Sequence, residues 1–476
     1  MRSMESNCSL DRDSSRRTFL KASFGACSAA TIGALNAPSD VSASSTTAKA
    51  KTTILFFLCG GASHIDTWDM KPDAPVEYRG PFNPIQTSAS DVRLSEHLPM
   101  TAKVAHHLAV VNSIDGAVNT NDHHGGYYHN LTGHRPDQSF RTEGNNRTPY
   151  PDDWPYMGSV VAMKRVQQGA LPNAITLPHK PSVAPFTRPG QFAGRLGVEF
   201  DPMYVIGEDD NPTEFRAPAL ALQGDLTVDR LTNRKQLLDV IDRSKRDFES
   251  FRRVNKFTRE QKRAVELLTA AGTTEAFDVA SEPEEVKERY GKTINGMSML
   301  LARRLAEREI PFITVFWREN TKLNKKCNSA GGWDTHGNNF TCLKENLLPE
   351  FDRVYSALIE DLHQRGMLDQ TVVLVTSEMG RKPKIGDPRS GGASGQGRDH
   401  WTYCLTDLLA GGGIRGGITY GSTDRLGGYP ADLVVTPADI TKTVYHCMGI
   451  DDLTATDESG RVYNLIEEGR TIDAII

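Results

Sequence analysis

The chain has 476 residues, of which 55 are lysine or arginine and 60 are aspartate or glutamate, giving a formal net charge of −5. This slightly acidic balance does not favour nucleic acid or an anionic membrane as a partner, because both attract chains with a basic excess. The length suits one large α/β domain or two ordinary ones. Its seven cysteines are too few for a disulfide framework, and Cys327 and Cys342 form either a bridge or two buried thiols.

The N-terminal residues carry an export signal. Ser15–Lys21 reads S-R-R-T-F-L-K, which matches the twin-arginine pattern S-R-R-x-F-L-K at every fixed position, and a weakly apolar stretch follows over Ala22–Leu35. Val41–Ala43 then gives a small-x-small cleavage pattern. We therefore predict a signal peptide over 1–43 that the Tat machinery recognises, a linker over 44–51, and a periplasmic or extracellular protein. No later apolar run reaches transmembrane length, so no membrane span is expected after cleavage.

Continuous apolar runs predict strands that are buried on both faces, as in a parallel sheet. The predicted strands are Thr53–Cys59, Leu108–Val111, Ala174–Leu177, Pro311–Trp317 and Thr371–Thr376. An apolar stripe at i, i+3 and i+4 spacing predicts a helix from Leu347 to Leu362, and a hydroxyl cap at Thr436 predicts the start of another. Strands that alternate with helices predict an α/β sandwich with a largely parallel sheet. Ligands bind such sheets at the carboxyl ends of the strands.

One long segment has a different composition. Residues 225–309 are rich in lysine, arginine and glutamate and have apolar residues at helical spacing. We predict a mostly helical excursion within a single domain that spans 52–476. Because its charges are of both signs, they indicate a solvated face rather than a nucleic-acid site.

Polar residues cluster after the predicted strands. The clusters are Gly60–Asp69, Asp122–Pro136, Gly331–Gly337, Ser377–Arg381 and Gly397–Trp401. Carboxylates and imidazoles at strand ends predict a divalent-metal site. Mixed Asp/His ligation suits Zn²⁺, Mn²⁺ or Fe²⁺ better than Ca²⁺, with Mg²⁺ as a further candidate. The alternative for any single histidine is a hydrogen-bonded loop residue or a helix cap.

Together with the export signal, five patterns resemble the Domain of Unknown Function 1501 family. They are G-G-x-S-H-x-D-T-x-D, S-E-x-G-R, G-R-D-H-W, A-G-G-G-I-x-G-G and G-x-T-D, and the likeness covers nearly the whole chain after the signal. That family is related to the alkaline phosphatase and sulfatase superfamily. The resemblance therefore implies an alkaline-phosphatase-like, three-layer α/β/α sandwich with a mostly parallel central sheet. It also implies a metal-dependent, hydrolytic ancestry.

The superfamily's metal ligands are only partly kept in this sequence. Asp334 and His336 resemble a metal-binding pair, and His400 resembles the late metal-binding histidine. Glu378 stands where an aspartate is usual, and Met379 replaces the histidine beside it, although methionine is a poor ligand for a hard cation. The resemblance therefore implies an altered metal site.

Two further positions depart from the superfamily. The aspartate that usually follows the first strand is replaced by Gly60, so His64 or Asp66 would have to take its place. Leu131–Pro136 resembles the end of the sulfatase nucleophile helix, which puts His123 near the nucleophile position. No C-x-P-x-R occurs in the sequence, which argues against a formylglycine sulfatase.

The leading hypothesis is an exported metal-dependent hydrolase of phosphate or sulfate esters, with a sulfated or phosphorylated glycan as one candidate substrate. The metal ligands would be Asp334, His336, Glu378 and His400, helped by His64 and Asp66. His123 would be a ligand or the nucleophile, Thr120 is the nearest hydroxyl, and Arg381 or Arg398 would hold the anionic group. The missing Ser or Cys nucleophile favours a second hypothesis, a non-catalytic binding or cell-envelope protein on the same fold. A redox enzyme has only the export route in its favour.

Overall fold

The architecture is built on one eight-stranded sheet. The computed structural model describes residues 50–118, 120–183, 186–218, 275–323, 326–327, 332–386, 396–457 and 459–476. The strands of this sheet are β1 (Thr52–Phe57), β2 (Leu108–Ile114), β3 (Ala174–Leu177), β4 (Met203–Tyr204), β5 (Phe312–Phe316), β6 (Thr371–Thr376), β7 (Leu405–Ala410) and β8 (Ile418–Tyr420). They lie in the order β8–β2–β7–β6–β1–β5–β3–β4. Neighbouring strands are parallel except that β7 runs antiparallel to β2 and β6, which confirms the mostly parallel sheet.

Helices connect the strands and cover the sheet. The longer helices are α1 (His123–Thr132), α2 (Met157–Lys164), α3 (Ile294–Glu307), α4 (Leu348–Gln364) and α5 (Pro437–Cys447). The shorter helices are His64–Thr67, Val76–Arg79, Pro99–Lys103, Gln138–Glu143, Glu284–Tyr290 and Asn339–Cys342. Two-stranded ribbons pair Pro84–Gln86 with Arg93–Ser95, Ser182–Val183 with Phe186–Thr187, Ile206–Glu208 with Asn211–Arg216, Gly380–Arg381 with His400–Trp401, Ser422–Thr423 with Pro430–Asp432, and Thr454–Thr456 with Val462–Asn464.

The central strand β1 packs against helices on both of its faces. Successive side chains of a strand point to opposite faces, and every residue of β1 is buried. Phe56 faces α3 and α4, with its ring centroid 5.9 Å from that of Phe351 in α4. Phe57 faces α1, α2 and α5, with its centroid 4.7 Å from that of Tyr127 in α1. Burial of each such side chain stabilises the fold by roughly 1.5–3 kcal/mol. The three-layer α/β/α sandwich is therefore confirmed.

The predicted elements agree closely with the observed ones where the apolar pattern is unbroken. Ala174–Leu177 and Thr371–Thr376 have the predicted bounds. The helix predicted from Leu347 begins at Leu348, because the turn before it is π-helical. Thr436 and Asp439 form a reciprocal capping box at the start of α5, as the hydroxyl cap predicts.

The helical excursion predicted over 225–309 lies mostly outside the described residues. The structure describes it only from residue 275, where Glu284–Tyr290 and α3 are helical. α3 belongs to the layer that packs on the sheet. In the described part of the chain, no helix has the length and apolar character needed to cross a membrane.

Asp407 is a buried carboxyl group within β7. Its exposed fraction is 2%, and burial raises its pKa to about 7. Between the ordinary carboxyl pKa and pH 7 the folded chain therefore binds a proton that the unfolded chain does not. The stability from this group is complete below pH ~4 and is lost progressively as pH rises from ~4 to ~7, by about 4 kcal/mol in all. We expect Asp407→Asn to flatten the fall in the free energy of unfolding between pH ~4.5 and ~7.5, as measured by urea unfolding.

The control for this prediction is the exposed Asp73, whose substitution Asp73→Asn should leave the pH dependence as in the wild type. An unchanged slope in Asp407→Asn would mean that another group titrates with folding over this range.

Candidate metal centre

The loops that carry the polar clusters leave the sheet at one edge. Strand β1 is parallel to β5 and β6, with Phe57 opposite both Phe316 and Thr376. The loops that follow these three strands therefore start side by side, and they carry Gly60, Asp334 and Glu378. This edge is the place where open α/β sheets bind ligands.

Three histidines and one arginine surround the carboxylate of Asp334. The Nε2 atoms of His336 and His400 lie 3.0 and 3.2 Å from Oδ1 of Asp334. Nε2 of His123 lies 3.4 Å from Oδ2, and the Arg381 guanidinium contacts Oδ1. We call Asp334, His123, His336 and His400 the Asp334 cluster. Within the described residues, His123, Asp334 and His400 meet the spacing of a metal-binding group.

Each imidazole of the cluster has its other ring nitrogen, Nδ1, against an oxygen atom of the protein. The pairs are His123 with Glu378 Oε1 at 2.8 Å, His336 with Asp399 Oδ1 at 2.6 Å, and His400 with the Asn121 carbonyl at 3.2 Å. Carbonyl and carboxylate oxygens only accept hydrogen bonds, so each Nδ1 donates a proton. In the neutral imidazole, Nε2 then presents a lone pair. In that form the three Nε2 atoms would offer lone pairs beside Asp334, an arrangement that could hold a cation.

The charges in the cluster influence one another. Burial alone would lower the pKa of His123, but hydrogen bonds to Asp334 and Glu378 raise it above its ordinary value. Burial would raise the pKa of Asp334, but Arg381 and the three imidazoles hold it well below its usual range. Burial lowers the pKa of His400. The site therefore holds an ionised carboxylate and a neutral His400 at neutral pH, whereas a proton on Nε2 of His123 is favoured and would have to leave before that atom could bind a cation.

Close packing of α1 on the loop after β6 positions His123 and Glu378. His123 is the first residue of α1, whose N-cap Asp122 accepts a hydrogen bond from a backbone amide in the first turn. A Cβ atom at Gly126 would lie 2.2 Å from the Glu378 carbonyl, so only glycine allows this approach. Asn130 donates to the same carbonyl at 3.2 Å.

Glu378 lies behind His123, on the Nδ1 side of the ring. Its exposed fraction is 1%, and its Oε1 also accepts from the Gly60 amide at 2.7 Å. Ser377 donates to Oε2 at 3.1 Å. The sequence predicts Glu378 as a metal ligand; in the structure its Oε1 lies against Nδ1 of His123, on the side of the ring away from Asp334.

The structure gives His64 and Asp66 other roles than the predicted one. Nε2 of His64 lies 2.8 Å from the Gly427 carbonyl, and burial lowers the pKa of this ring. Both carboxylate oxygens of Asp66 are occupied, because the Arg398 guanidinium makes a paired contact at 2.7 and 2.9 Å. Ser63 and Asn339 add hydrogen bonds to Asp66 Oδ2. Neither predicted ligand joins the Asp334 cluster.

The two arginines predicted to hold substrate are fully buried and engaged with the protein. Arg398 is bonded to Asp66 and to backbone carbonyls. Arg381 donates to the Gly61 carbonyl at 2.9 Å and contacts the Gly60 carbonyl and Asp334. Because their donors are already used, Arg398 supports the loop structure and Arg381 anchors Asp334.

Two supporting residues were missed from the sequence. Asp399 lies inside the G-R-D-H-W pattern, next to His400, yet it holds His336 rather than its neighbour. The Asn121 carbonyl holds His400, and no sequence signal marks a backbone oxygen for such a role. Adjacency to His400 was the available clue for Asp399.

A disulfide bridge encloses the loop that carries Asp334 and His336. Cys327 and Cys342 are bonded, with their Cα atoms 5.6 Å apart. Of the two alternatives that the sequence left open for this pair, the structure has the bridge. It ties together the two ends of the loop that supplies half of the cluster.

Comparison with known proteins gives a family and several distant structures. The family model "Protein of unknown function (DUF1501)" matches residues 50–476. No curated protein matches the chain.

Among solved structures, the phosphonate monoester hydrolase SpPMH from Silicibacter pomeroyi aligns with 12% identity and a TM-score of 0.39, covering 89% of this chain and 76% of its own. The PsFucS1 sulfatase from Pseudoalteromonas sp. aligns with 11% identity and a TM-score of 0.37, covering 84% and 68%. Ps i-CgsB, solved in complex with k-i-k-neocarrahexaose, aligns with 10% identity and a TM-score of 0.39, covering 88% and 75%.

Proposed function

Since the chain belongs to the DUF1501 family, whose model describes proteins of unknown function, we propose from its site that it is a metal-dependent hydrolase of phosphate or sulfate esters. A sulfated or phosphorylated glycan is one candidate substrate. The observation that carries the proposal is the orientation of three imidazoles, each with Nδ1 against an oxygen atom and Nε2 towards Asp334.

The donor set fits a divalent cation. Nε2 of His336 and Nε2 of His400 lie only 3.0 Å apart, and both also face the Asp334 carboxylate. Neutral rings that donate through Nδ1 would place two lone pairs against each other and against a negative charge, which is unfavourable unless a proton or a metal cation lies between them. Asp334, His336, His400 and His123 would hold the ion, and nitrogen with carboxylate ligation suits Zn²⁺, Mn²⁺ or Fe²⁺.

When bound, such an ion supplies Lewis-acid polarisation of the ester and a lowered pKa for water. The chain's own residues would provide orientation. Glu378 and Asp399 hold the rings of His123 and His336, and Arg381 holds Asp334. These contacts fix the ligands before substrate arrives, so little reorganisation is needed during reaction.

The geometry favours water over His123 as the nucleophile. A histidine that attacks an ester needs a free ring nitrogen. Nδ1 of His123 is hydrogen-bonded to Glu378, and Nε2 faces Asp334 at 3.4 Å. Both nitrogens are therefore engaged, and we assign His123 to the ligand set.

Export by the Tat route is part of the proposal. It is supported by the S-R-R-T-F-L-K pattern at Ser15–Lys21. The signal residues 1–43 lie outside the described residues. Folding before export would allow the ion to be loaded in the cytoplasm.

The test compares His336→Ala with Thr120→Ala in protein purified without chelator. We expect His336→Ala to lose bound metal and turnover of p-nitrophenyl phosphate and p-nitrophenyl sulfate together, with an unchanged circular dichroism spectrum. Thr120→Ala should keep both, because the site needs no hydroxyl group. The surface variant His363→Ala serves as the matched histidine control.

Two outcomes would change the assignment. If Thr120→Ala lost turnover but kept its metal, the hydroxyl group would be the nucleophile. If no ester were hydrolysed with any divalent metal, the second hypothesis, a non-catalytic binding or cell-envelope protein, would replace this one. That hypothesis is supported by Met379, which is fully buried where the superfamily has a metal-binding histidine.

A further inference from the structure

A basic cavity lies at the same edge of the sheet as the Asp334 cluster. Its volume is about 310 Å³, and it is lined by Tyr127, His179, Lys180, Arg188, Arg318 and Glu319, among other residues. We call it the Arg188 pocket. Three of these side chains carry a positive charge and one carries a negative charge, so an anion is the favoured occupant.

Two buried polar atoms of the Arg188 pocket have no hydrogen-bond partner among the described residues. They are Nη1 of Arg188 and Nδ1 of His179. No described carboxylate lies within ion-pair distance of Arg188, which packs at 4.7 Å over the Tyr127 ring. Arg318 has a described carboxylate, Asp209, only at 3.9 Å. Buried polar groups are nearly always satisfied, so these atoms call for a ligand or ordered water.

The Arg188 pocket and the Asp334 cluster are close neighbours. Tyr127 lies one helical turn after His123 on α1, so one helix contributes to both. Cys59 lines the pocket, and the amide of the next residue, Gly60, donates to Glu378 at 2.7 Å. Glu378 in turn contacts His123 at 2.8 Å, so a short path of contacts joins the two sites.

We propose that the Arg188 pocket binds an anionic group of the substrate, a phosphate, sulfate or carboxylate, other than the ester group at the Asp334 cluster. The substrate would then be a polyanion. The role in substrate binding rests on the proposed hydrolase function, whereas the binding of an anion by the pocket does not. Arg188 suits the task because a guanidinium offers paired donors to tetrahedral and planar oxyanions. Arg381 and Arg398 cannot serve, because their donors are used within the protein.

The first test uses the full-length protein after chelator treatment, which separates the pocket from the metal centre. Inorganic phosphate and inorganic sulfate are titrated by calorimetry at low ionic strength. We expect Arg188→Gln to weaken anion binding roughly tenfold or more, the loss of one charge-assisted hydrogen bond. Lys180→Gln, at an exposed position where folding is safe, should weaken it roughly two- to threefold. Arg216→Gln, on an exposed ribbon, should bind as the wild type does.

The second test measures kinetics with the metal-loaded enzyme. Arg188→Gln should raise KM roughly tenfold for a disulfated or bisphosphorylated sugar, with kcat little changed. KM for the monoanionic p-nitrophenyl sulfate should stay at the wild-type value. The proposed anion site would be wrong if the wild type bound no anion, or if Arg188→Gln and Lys180→Gln both bound phosphate as tightly as the wild type. Either result would leave the hydrolase proposal intact. If anion binding depended on Arg188 but the protein hydrolysed no ester, the pocket would still be an anion site. Its proposed role in binding a hydrolase substrate would then be wrong.

Discussion

Asp66→Asn should lower the free energy of unfolding by about 3–5 kcal/mol, because it leaves the buried Arg398 guanidinium without its counter-charge. Both side chains have 0% exposure, and the two N–O contacts are 2.7 and 2.9 Å. Equilibrium urea unfolding measures the change. The folded fraction of Asp66→Asn should still bind metal, since Asp66 lies outside the Asp334 cluster.

The matched control is Asp210→Asn, which removes the partner of Lys322 in an exposed pair. Its free energy of unfolding should be close to that of the wild type, because exposed pairs contribute little. If Asp66→Asn kept full stability but lost metal, Asp66 would be a ligand, as the sequence resemblance implies, and the structural role assigned here would be incorrect.

Gly60→Ala should disrupt the Asp334 cluster by displacing the backbone of Asp334. Gly60 has a φ of +122°, and a Cβ atom there would lie 2.2 Å from the Asp334 backbone nitrogen. Backbone strain and overpacking each cost about 1–3 kcal/mol, so we expect a combined loss near 4 kcal/mol. Thermal unfolding measures the loss, and calorimetric titration with Zn²⁺ should find weaker binding, because Asp334 must move.

The control variant Gly169→Ala separates the cost of backbone strain from the cost of overpacking. Gly169 also has a positive φ, +85°, but a Cβ atom there would meet nothing within 4 Å. We expect only the strain part of the loss and normal metal binding. Equal losses in the two variants would show that the contact between Gly60 and the Asp334 backbone is unimportant. This contact also explains why the sequence has no aspartate at position 60, since any side chain would occupy the space of the neighbouring loop.

The sequence predicts the fold well because its main signals are local. An unbroken apolar run such as Thr371–Thr376 identifies a buried strand without knowledge of its neighbours. Strand β7 was not predicted because Asp407 interrupts its run of apolar residues. The burial of this carboxyl group follows from the folded sheet and cannot be read from the sequence. The bounds of Ala174–Leu177 and Thr371–Thr376 therefore followed from the apolar runs. The strand predicted over Thr53–Cys59 is instead Thr52–Phe57, and the one predicted over Leu108–Val111 continues to Ile114.

The site was predictable to the extent that it follows the strand ends. That rule selected Asp334, His336 and His400, and the structure brings them together. It could not separate Asp66 from the cluster, because the partner of Asp66 lies 332 residues further along the chain. Arg188 was missed because it lies in a short irregular segment with no periodic or motif signal.

The most direct test of the central claim is the metal content of the full-length protein purified without chelator, measured by elemental analysis beside His336→Ala. We predict a stoichiometric divalent ion in the wild type and little in His336→Ala, with both chains folded. A folded wild-type chain that carries no ion, and binds none when Zn²⁺, Mn²⁺, Fe²⁺ or Mg²⁺ is added, would contradict the account.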